Sequence, residues 1–339
     1  MNFVLFKKNM KNQAKEIAIE NYEPQEQVII PQSTREELEY NLINRNIRMS
    51  YSKLKNLTSP INFMNALLEP KSKNVGMIEG SLADTLLFEE HKFNDRYAIV
   101  TDMPSETSDN QKGYVKDTLN YLKQGLTFDT AKENAFELNY KKGKLSDLEK
   151  LDDYILTLHS GKECASQEMY DKYLAITDNL KNVPEIQDEL SQAISFQKKI
   201  EFEYLGWKFV SVLDLEADYG FLDAKKTKAC DTDEFGRELF KLGYDVQLGL
   251  YKLGMQITGM NNNPQAKYLL FDDKFNYNLP NVGEDLMNHS VKKVEFLVSL
   301  LNKMVDERAF NASYGYLKSK NTIYKPKYIA GFDYEIFND

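Results

Sequence analysis

The sequence predicts an α/β protein, a mixed central sheet flanked by helices with a helical insert. Three observations predict it. Phe209–Leu215 and Phe221–Lys225 alternate and are rich in β-forming residues, and Ala217-Asp218-Tyr219-Gly220 between them has turn chemistry, so the pair reads as a hairpin. Glu238–Met255 and Ser290–Arg308 carry apolar residues at helical spacing, the second with Val294, Leu297, Leu300, Leu301 and Met304 along one side. A chain of 339 residues, 42% of them hydrophobic, is ample for one large core with appended segments.

The elements follow in order. Met1–Asn21 is polar with weak helical periodicity. Tyr22–Gln32 reads as an extended arm, Pro24 and Pro31 flanking Val28-Ile29-Ile30, which caps its own domain or docks on a neighbouring subunit. Ser33 with Glu36, and Thr34 with Glu37, have capping-box spacing and start a helix. Ser52 begins a short helix that Ser59-Pro60 interrupts or restarts, since proline suits a first helical turn. Pro70–Asn74 is a loop holding Lys71 and Lys73, and Ile78–Glu90 is a helix. Tyr97–Thr101 reads as a strand and Asp102–Gly113 as an exposed loop. Tyr114–Leu138 reads as two helices broken near Gly125, followed by helices over Leu145–Ser160, Glu168–Asn182 and from Pro184 to about Ala193. These make an all-helical insert over about 114–195. Ile200–Tyr204 turns at Gly206 into the strand after Trp207, a packing residue. Asp231–Glu234 is an acidic turn, Ala266–Phe271 a strand and Asp272–Gly283 a loop. The organisation expected is an N-terminal arm and helix over 1–45, a main domain over 46–310, and an aromatic tail over 311–339 that packs on the domain or on a subunit.

The hairpin and the helix after it hold the chemistry. Asp223 and Lys225 are two residues apart on one strand and share a face, while Ala224 points the other way. Asp214 lies near the end of the preceding strand and can meet Asp223 across the pair. Two carboxylates suffice for a hard cation such as Mg²⁺, whose remaining positions are filled by water and substrate phosphate. Lys225 would orient or deprotonate an attacking water. Gln247 and Tyr251 are four apart on a helix and share one face. Lys225, Lys226 and Lys228 cluster beside the acids, and Lys226 and Lys228 are expected to contact the phosphates of a substrate. Asp84 sits among Leu82, Ala83, Leu86, Leu87 and Phe88, where a lone carboxylate is costly to bury unless paired or bound to metal.

Asp214, then Asp223-Ala224-Lys225, then Gln247 and Tyr251, resembles the PD-(D/E)xK nuclease pattern, in particular the exodeoxyribonuclease VIII (RecE-like) branch of phage-type exonucleases. Ser50-Tyr51-Ser52-Lys53-Leu54-Lys55, Ser59-Pro60, Gly80–Leu86 and Phe93-Asn94-Asp95-Arg96-Tyr97 are similar to that branch's upstream segments. The resemblance spans roughly Ser50 to Arg308, with an unmatched middle. It implies a restriction-endonuclease-like core and hydrolysis of linear duplex DNA from a 5′ end, leaving 3′ single strands for a recombination partner that anneals them. It implies a homo-oligomer enclosing DNA. It implies Mg²⁺, with Mn²⁺ as a substitute, held by Asp84, Asp214, Asp223 and the carbonyl of Ala224. Where the family has His this chain has Asp84, also a hard oxygen ligand. A glutamate is expected on the strand before Asp214, either Glu201 or Glu203. Lys225, Gln247 and Tyr251 complete the implied catalytic set.

Composition bounds the alternatives. A net charge of −9 excludes a generally basic nucleic-acid coat but leaves room for a local basic channel. Two cysteines, Cys164 and Cys230, exclude a four-cysteine zinc or iron–sulfur site within one chain and fit a reducing compartment. The three histidines, His91, His159 and His289, lack metal-ligand spacing. No stretch of about eighteen apolar residues exists, so no membrane span is expected. Met1–Phe6 is too short for a signal core, so the chain is expected in the cytoplasm of a bacterial or phage-infected cell.

Overall fold

Two sheets stand in the computed structural model, which describes residues 34–69, 74–228 and 230–316. A short parallel pair, β1 (Tyr97–Ile99) and β2 (Glu163–Ala165), is separate from a five-stranded mixed sheet. That sheet runs in the order β3 (Ala193–Tyr204), β4 (Trp207–Ala217), β5 (Gly220–Lys226), β6 (Gln265–Phe271), β7 (Tyr277–Asn278). β3, β4 and β5 form an antiparallel meander, β5 and β6 are parallel, and β6 and β7 are antiparallel. The crossover between the parallel strands is helical, as parallel pairing requires.

Period-two alternation divides the sheet between two cores. Phe221, Tyr268 and Leu270 pack with Val246, Leu250, Val294 and Leu301 of the Tyr244–Ile257 and Glu284–Asp306 helices. Leu222, Ala224, Leu269 and Phe271 face the opposite way, onto Leu82 and Leu86 of the Val75–Phe88 helix and Tyr173 and Ile176 of the Gln167–Lys181 helix. Each fully buried large apolar side chain contributes about 1.5–3 kcal/mol, so these faces hold the helices that carry the site. The helices Asp109–Lys123, Phe128–Asn139 and Asp152–His159 share a third, separate core around Tyr114, Leu151 and Ile155.

Caps formed where side-chain oxygens were available. Thr34 accepts from the Glu37 N–H and begins the Arg35–Ile43 helix; Ser59 accepts from the Asn62 N–H, with Pro60 at the first position of Pro60–Leu68. Leu38 and Leu42 of the first helix lie in the main core, so this helix belongs to the body rather than to an arm. Trp207 is buried and donates its Nε1–H to Asn302.

Several expectations need correction. The single helix expected over Glu238–Met255 is two, Thr232–Leu242 and Tyr244–Ile257, because Gly243 takes a left-handed φ of 79° and ends the first. Asp231 is the cap of the first helix, accepting from the Asp233 and Glu234 N–H groups, so the acidic segment is a helix start rather than a turn. The exposed loop before Tyr114 gives way to helix at Asp109, capped by Ser108. The insert is not all-helical, since β2 lies within it and β3 begins at Ala193. The loop after Phe271 contains β7, and the last long helix begins at Glu284, six residues before Ser290. The arm, the Lys71 and Lys73 loop and nearly all of the aromatic tail lie outside the described residues. No helix among the described residues is long and apolar enough to cross a membrane.

Candidate active site

The β4–β5 hairpin opens as it runs away from its turn. Ala217 faces Gly220 and Leu215 faces Leu222, and there the backbone ladder stops. The residues just past it are Asp214 and Asp223, which feel each other's charge across the opening. Asp214 Oδ2 accepts the Ala224 N–H at 2.9 Å, a side chain taking over where the ladder ends. Its other oxygen accepts from Gln197 Nε2 at 3.1 Å. Lys225 Nζ stands 2.5 Å from Asp223 Oδ2, and Gln247 Nε2 reaches Asp223 Oδ1 at a long 3.4 Å and the Tyr251 hydroxyl at 2.6 Å. Asp223 and Asp214 are buried, and the Lys225 side chain is 14% exposed.

The Val75–Phe88 helix brings Asp84, half-buried, into the same electrostatic neighbourhood. Burial pushes the Asp84 carboxyl well up, the nearby Asp214 charge pushes it further, Lys225 opposes, and Asp223 adds to the rise. Burial likewise moves Asp214 to about 7, assisted by the Asp223 charge and opposed by Lys225 and the Ala224 N–H. Burial disfavours the Lys225 ammonium, but the carboxylates of Asp223 and Asp214 outweigh it and hold the amine above its ordinary value. Lys225 is therefore a cation in this arrangement. It can orient a water or a phosphate oxygen, and it has no lone pair with which to take a proton.

The donor set suits a hard cation. Asp84, Asp214, Asp223 and a backbone carbonyl present only oxygen. Asp223 Oδ2 is buried without a hydrogen-bond donor of good geometry, only the ion-pair contact of Lys225, and Gln247 Oε1 is buried without a partner. Among the described residues no three acidic, histidine or cysteine side chains gather tightly enough to hold a metal as they stand. The Lys225 ammonium occupies the place beside Asp223 that a cation would compete for.

Of the sequence-predicted set, Lys225, Asp223, Gln247 and Tyr251 form one contact chain, Asp214 joins it through the Ala224 N–H, and Asp84 is in electrostatic reach. Neither Glu201 nor Glu203 joins it. Glu201 pairs with Arg48 and Lys199 at the exposed surface, opposite Val210, and Glu203 faces Lys208 toward the other end of β4. The side chain that β3 does supply is Gln197, which falls opposite Asp214 in the register and has a φ of 48°. It was missed because the strand was expected to start only at Ile200. Lys226 also departs from expectation: its side chain turns to the opposite face of β5, to Glu79 and Asp273, away from Lys225. Lys228 is exposed. An aromatic wall completes the site. Tyr244 lies under Lys225 Nζ at 5.1 Å and 6.3 Å from the Tyr51 ring, and the Tyr51 hydroxyl donates to the Leu242 carbonyl.

No family model matches the chain, and no curated protein matches it. Among solved structures the chain is similar to a protein from Eubacterium rectale described as a candidate exonuclease. The two are 12% identical, with 84% of this chain and 88% of that one covered and a TM-score of 0.47.

Proposed function

We propose that the chain is a metal-dependent deoxyribonuclease with a PD-(D/E)xK core, an exonuclease on the ends of linear duplex DNA. The observation that supports this best is the meeting of Asp214, Asp223 and Lys225 where the β4–β5 ladder opens, with Gln247 on Asp223. The choice of DNA, the 5′ to 3′ direction, the 3′ strands left for an annealing partner and the homo-oligomer follow from the sequence resemblance. Asp84, Asp214, Asp223 and the Ala224 carbonyl would hold Mg²⁺ or Mn²⁺. When bound, the cation would supply positive charge at the scissile phosphate and acidity to the attacking water.

The residues divide the remaining work. Water oxygen attacks phosphorus in line and gives up its proton to solvent, a P–O bond forms, and the P–O bond on the far side breaks, its oxygen taking a proton from solvent to leave as a sugar hydroxyl. Lys225, held as a cation, aligns the water and donates to a phosphate oxygen as negative charge develops there. Gln247 fixes the rotamer of Asp223 through its amide, and Tyr251, wedged edge-on against Phe221, fixes Gln247. The carboxylates of Asp214 and Asp223, buried beside one another, favour any species that brings them a compensating charge.

The test is Mg²⁺-dependent release of nucleotides from linear duplex DNA by the wild type, by Asp223→Ala and by Lys225→Ala. Each variant is expected to lose at least ~100-fold in rate. Equal degradation by all three would remove the site assignment, and cleavage of covalently closed circles would make the enzyme an endonuclease. The closed Lys225–Asp223 ion pair favours a second reading, a non-catalytic DNA-end or protein-binding scaffold on the same fold. DNA binding without metal uptake or cleavage would establish that one.

A further inference from the structure

Lys226 follows Lys225 on β5, so strand alternation sends it to the other face of the sheet. There its Nζ pairs with Glu79 Oε2 and stands 3.5 Å from Asp273 Oδ1. Asp273 in turn accepts the Tyr173 hydroxyl at 2.8 Å and pairs with Lys172 at 3.2 Å. Lys226 also lies 5.6 Å from the centre of the Tyr173 ring. The Lys226 and Glu79 side chains are only 18% and 16% exposed, so this is not a solvated surface pair of little consequence. Glu79 is on the Val75–Phe88 helix, five residues before Asp84.

We propose that the Glu79–Lys226 pair is a positioning device that sets the distance of Asp84 from Asp214 and Asp223, and thereby the site's affinity for a divalent cation. The inference rests on the proposed function. Its geometry is direct. Strand β5 displays Asp223 and Lys225 on one face and grips the Asp84 helix with Lys226 on the other. Asp84 stands five residues after Glu79 on the same helix, so where Lys226 holds Glu79 against β5 sets where Asp84 lies. Among the described residues no other ion pair joins that helix to β5: Glu89, at its far end, is bound to Lys92 and Arg96 instead. Glu79 and Lys226 are thus positioning residues, acting through Asp84 without touching substrate.

The experiment compares wild type, Glu79→Gln, Lys226→Gln, Lys226→Arg and the reversed pair Glu79→Lys with Lys226→Glu. Mn²⁺ binding is measured by calorimetry without DNA, and the Mg²⁺ concentration for half-maximal nuclease rate is measured alongside. The single Gln variants are expected to weaken metal binding by ~10-fold or more, as loss of a supporting partner does. Lys226→Arg and the reversed pair should recover most of it. Amide exchange of the Val75–Phe88 helix in metal-free protein is the second readout, expected to quicken several-fold in Lys226→Gln and not in Lys226→Arg. Metal affinity within twofold of wild type in the Gln variants, or unchanged helix exchange, would overturn the proposal. A wild type inert to both metal and DNA would overturn the nuclease reading instead, and the clamp on the helix would then stand or fall on exchange alone.

Discussion

Asp214 accepts the backbone N–H of Ala224 at 2.9 Å, so one carboxylate both closes the open end of the β4–β5 hairpin and sets its charge against Asp223. The two duties can be separated. Asn at this position can still accept from Ala224 through its one carbonyl oxygen, and its Nδ2 can donate to Gln197 once that amide turns its oxygen inward, while the charge that burial and Asp223 resist is given up. Asp214→Asn is therefore expected to be at least as stable as wild type in urea unfolding, and nearly inactive. Asp214→Ala orphans a buried N–H and should cost about 1–3 kcal/mol as well as activity. Equal stability of the two variants would show that the Ala224 contact contributes nothing.

Acid stability should depend on Glu89. Burial alone would raise its pKa, but hydrogen bonds and charge from Lys92 and Arg96 more than reverse this and hold it low. A carboxylate depressed on folding stabilises the native state above its unfolded value, about 4.3, and that contribution is lost as pH falls through the folded value. Glu89→Gln should lower stability at pH 7 by about 1–3 kcal/mol, because two cations lose their shared partner. It should also flatten the acid limb of the curve of Tm against pH. An acid limb as steep as wild type would exclude this residue as its source.

Gly249 is the point where the Gln247 helix meets the last long helix. A Cβ there would sit 2.4 Å from the Ser290 carbonyl oxygen and 2.8 Å from Val294 Cγ2. Backbone cannot yield as a flexible side chain does, so Gly249→Ala should destabilise by about 1–3 kcal/mol or more. Gln247 and Tyr251 ride on the same helix, so the Mg²⁺-dependent rate should fall more than the folded fraction does. A variant as stable as wild type would mean the two helices separate without penalty.

Much of this was legible in the sequence, and the reasons differ by element. Alternation marks β4, whose first half is buried on one face only, while β5, buried on both faces, is marked by its β-forming residues and the turn before it, and the two-residue offset of Asp223 and Lys225 fixes their shared face. β3 was underestimated because Ala193–Lys199 mixes polar and apolar residues without clear alternation and carries a positive φ at Gln197. That hid the Gln197–Asp214 contact. The lysine run looked like one phosphate-binding patch, yet alternation divides it, and only the tertiary placement of Glu79 and Asp273 shows what Lys226 does. The break at Gly243 was missed because apolar spacing continues across it; the left-handed φ resets the helix axis without interrupting the pattern.

Gln247 offers the sharpest check on how the site is held. Its Nε2 donates to both Asp223 Oδ1 and the Tyr251 hydroxyl, so an amide is the right group and a carboxylate of the same shape is wrong. Gln247→Glu would set a second carboxylate against Asp223, while Tyr251, whose hydroxyl burial and the Asp223 charge keep protonated, could turn to donate to it. Gln247→Leu removes the donor without adding charge. If Gln247 serves only to hold Asp223, Leu should cost roughly 10-fold in kcat with KM for DNA little changed, in line with loss of a supporting hydrogen bond. Glu should cost more at low Mg²⁺ and recover as Mg²⁺ rises, because the added carboxylate draws cation as it repels Asp223. A loss confined to KM in both variants would place Gln247 on the DNA instead.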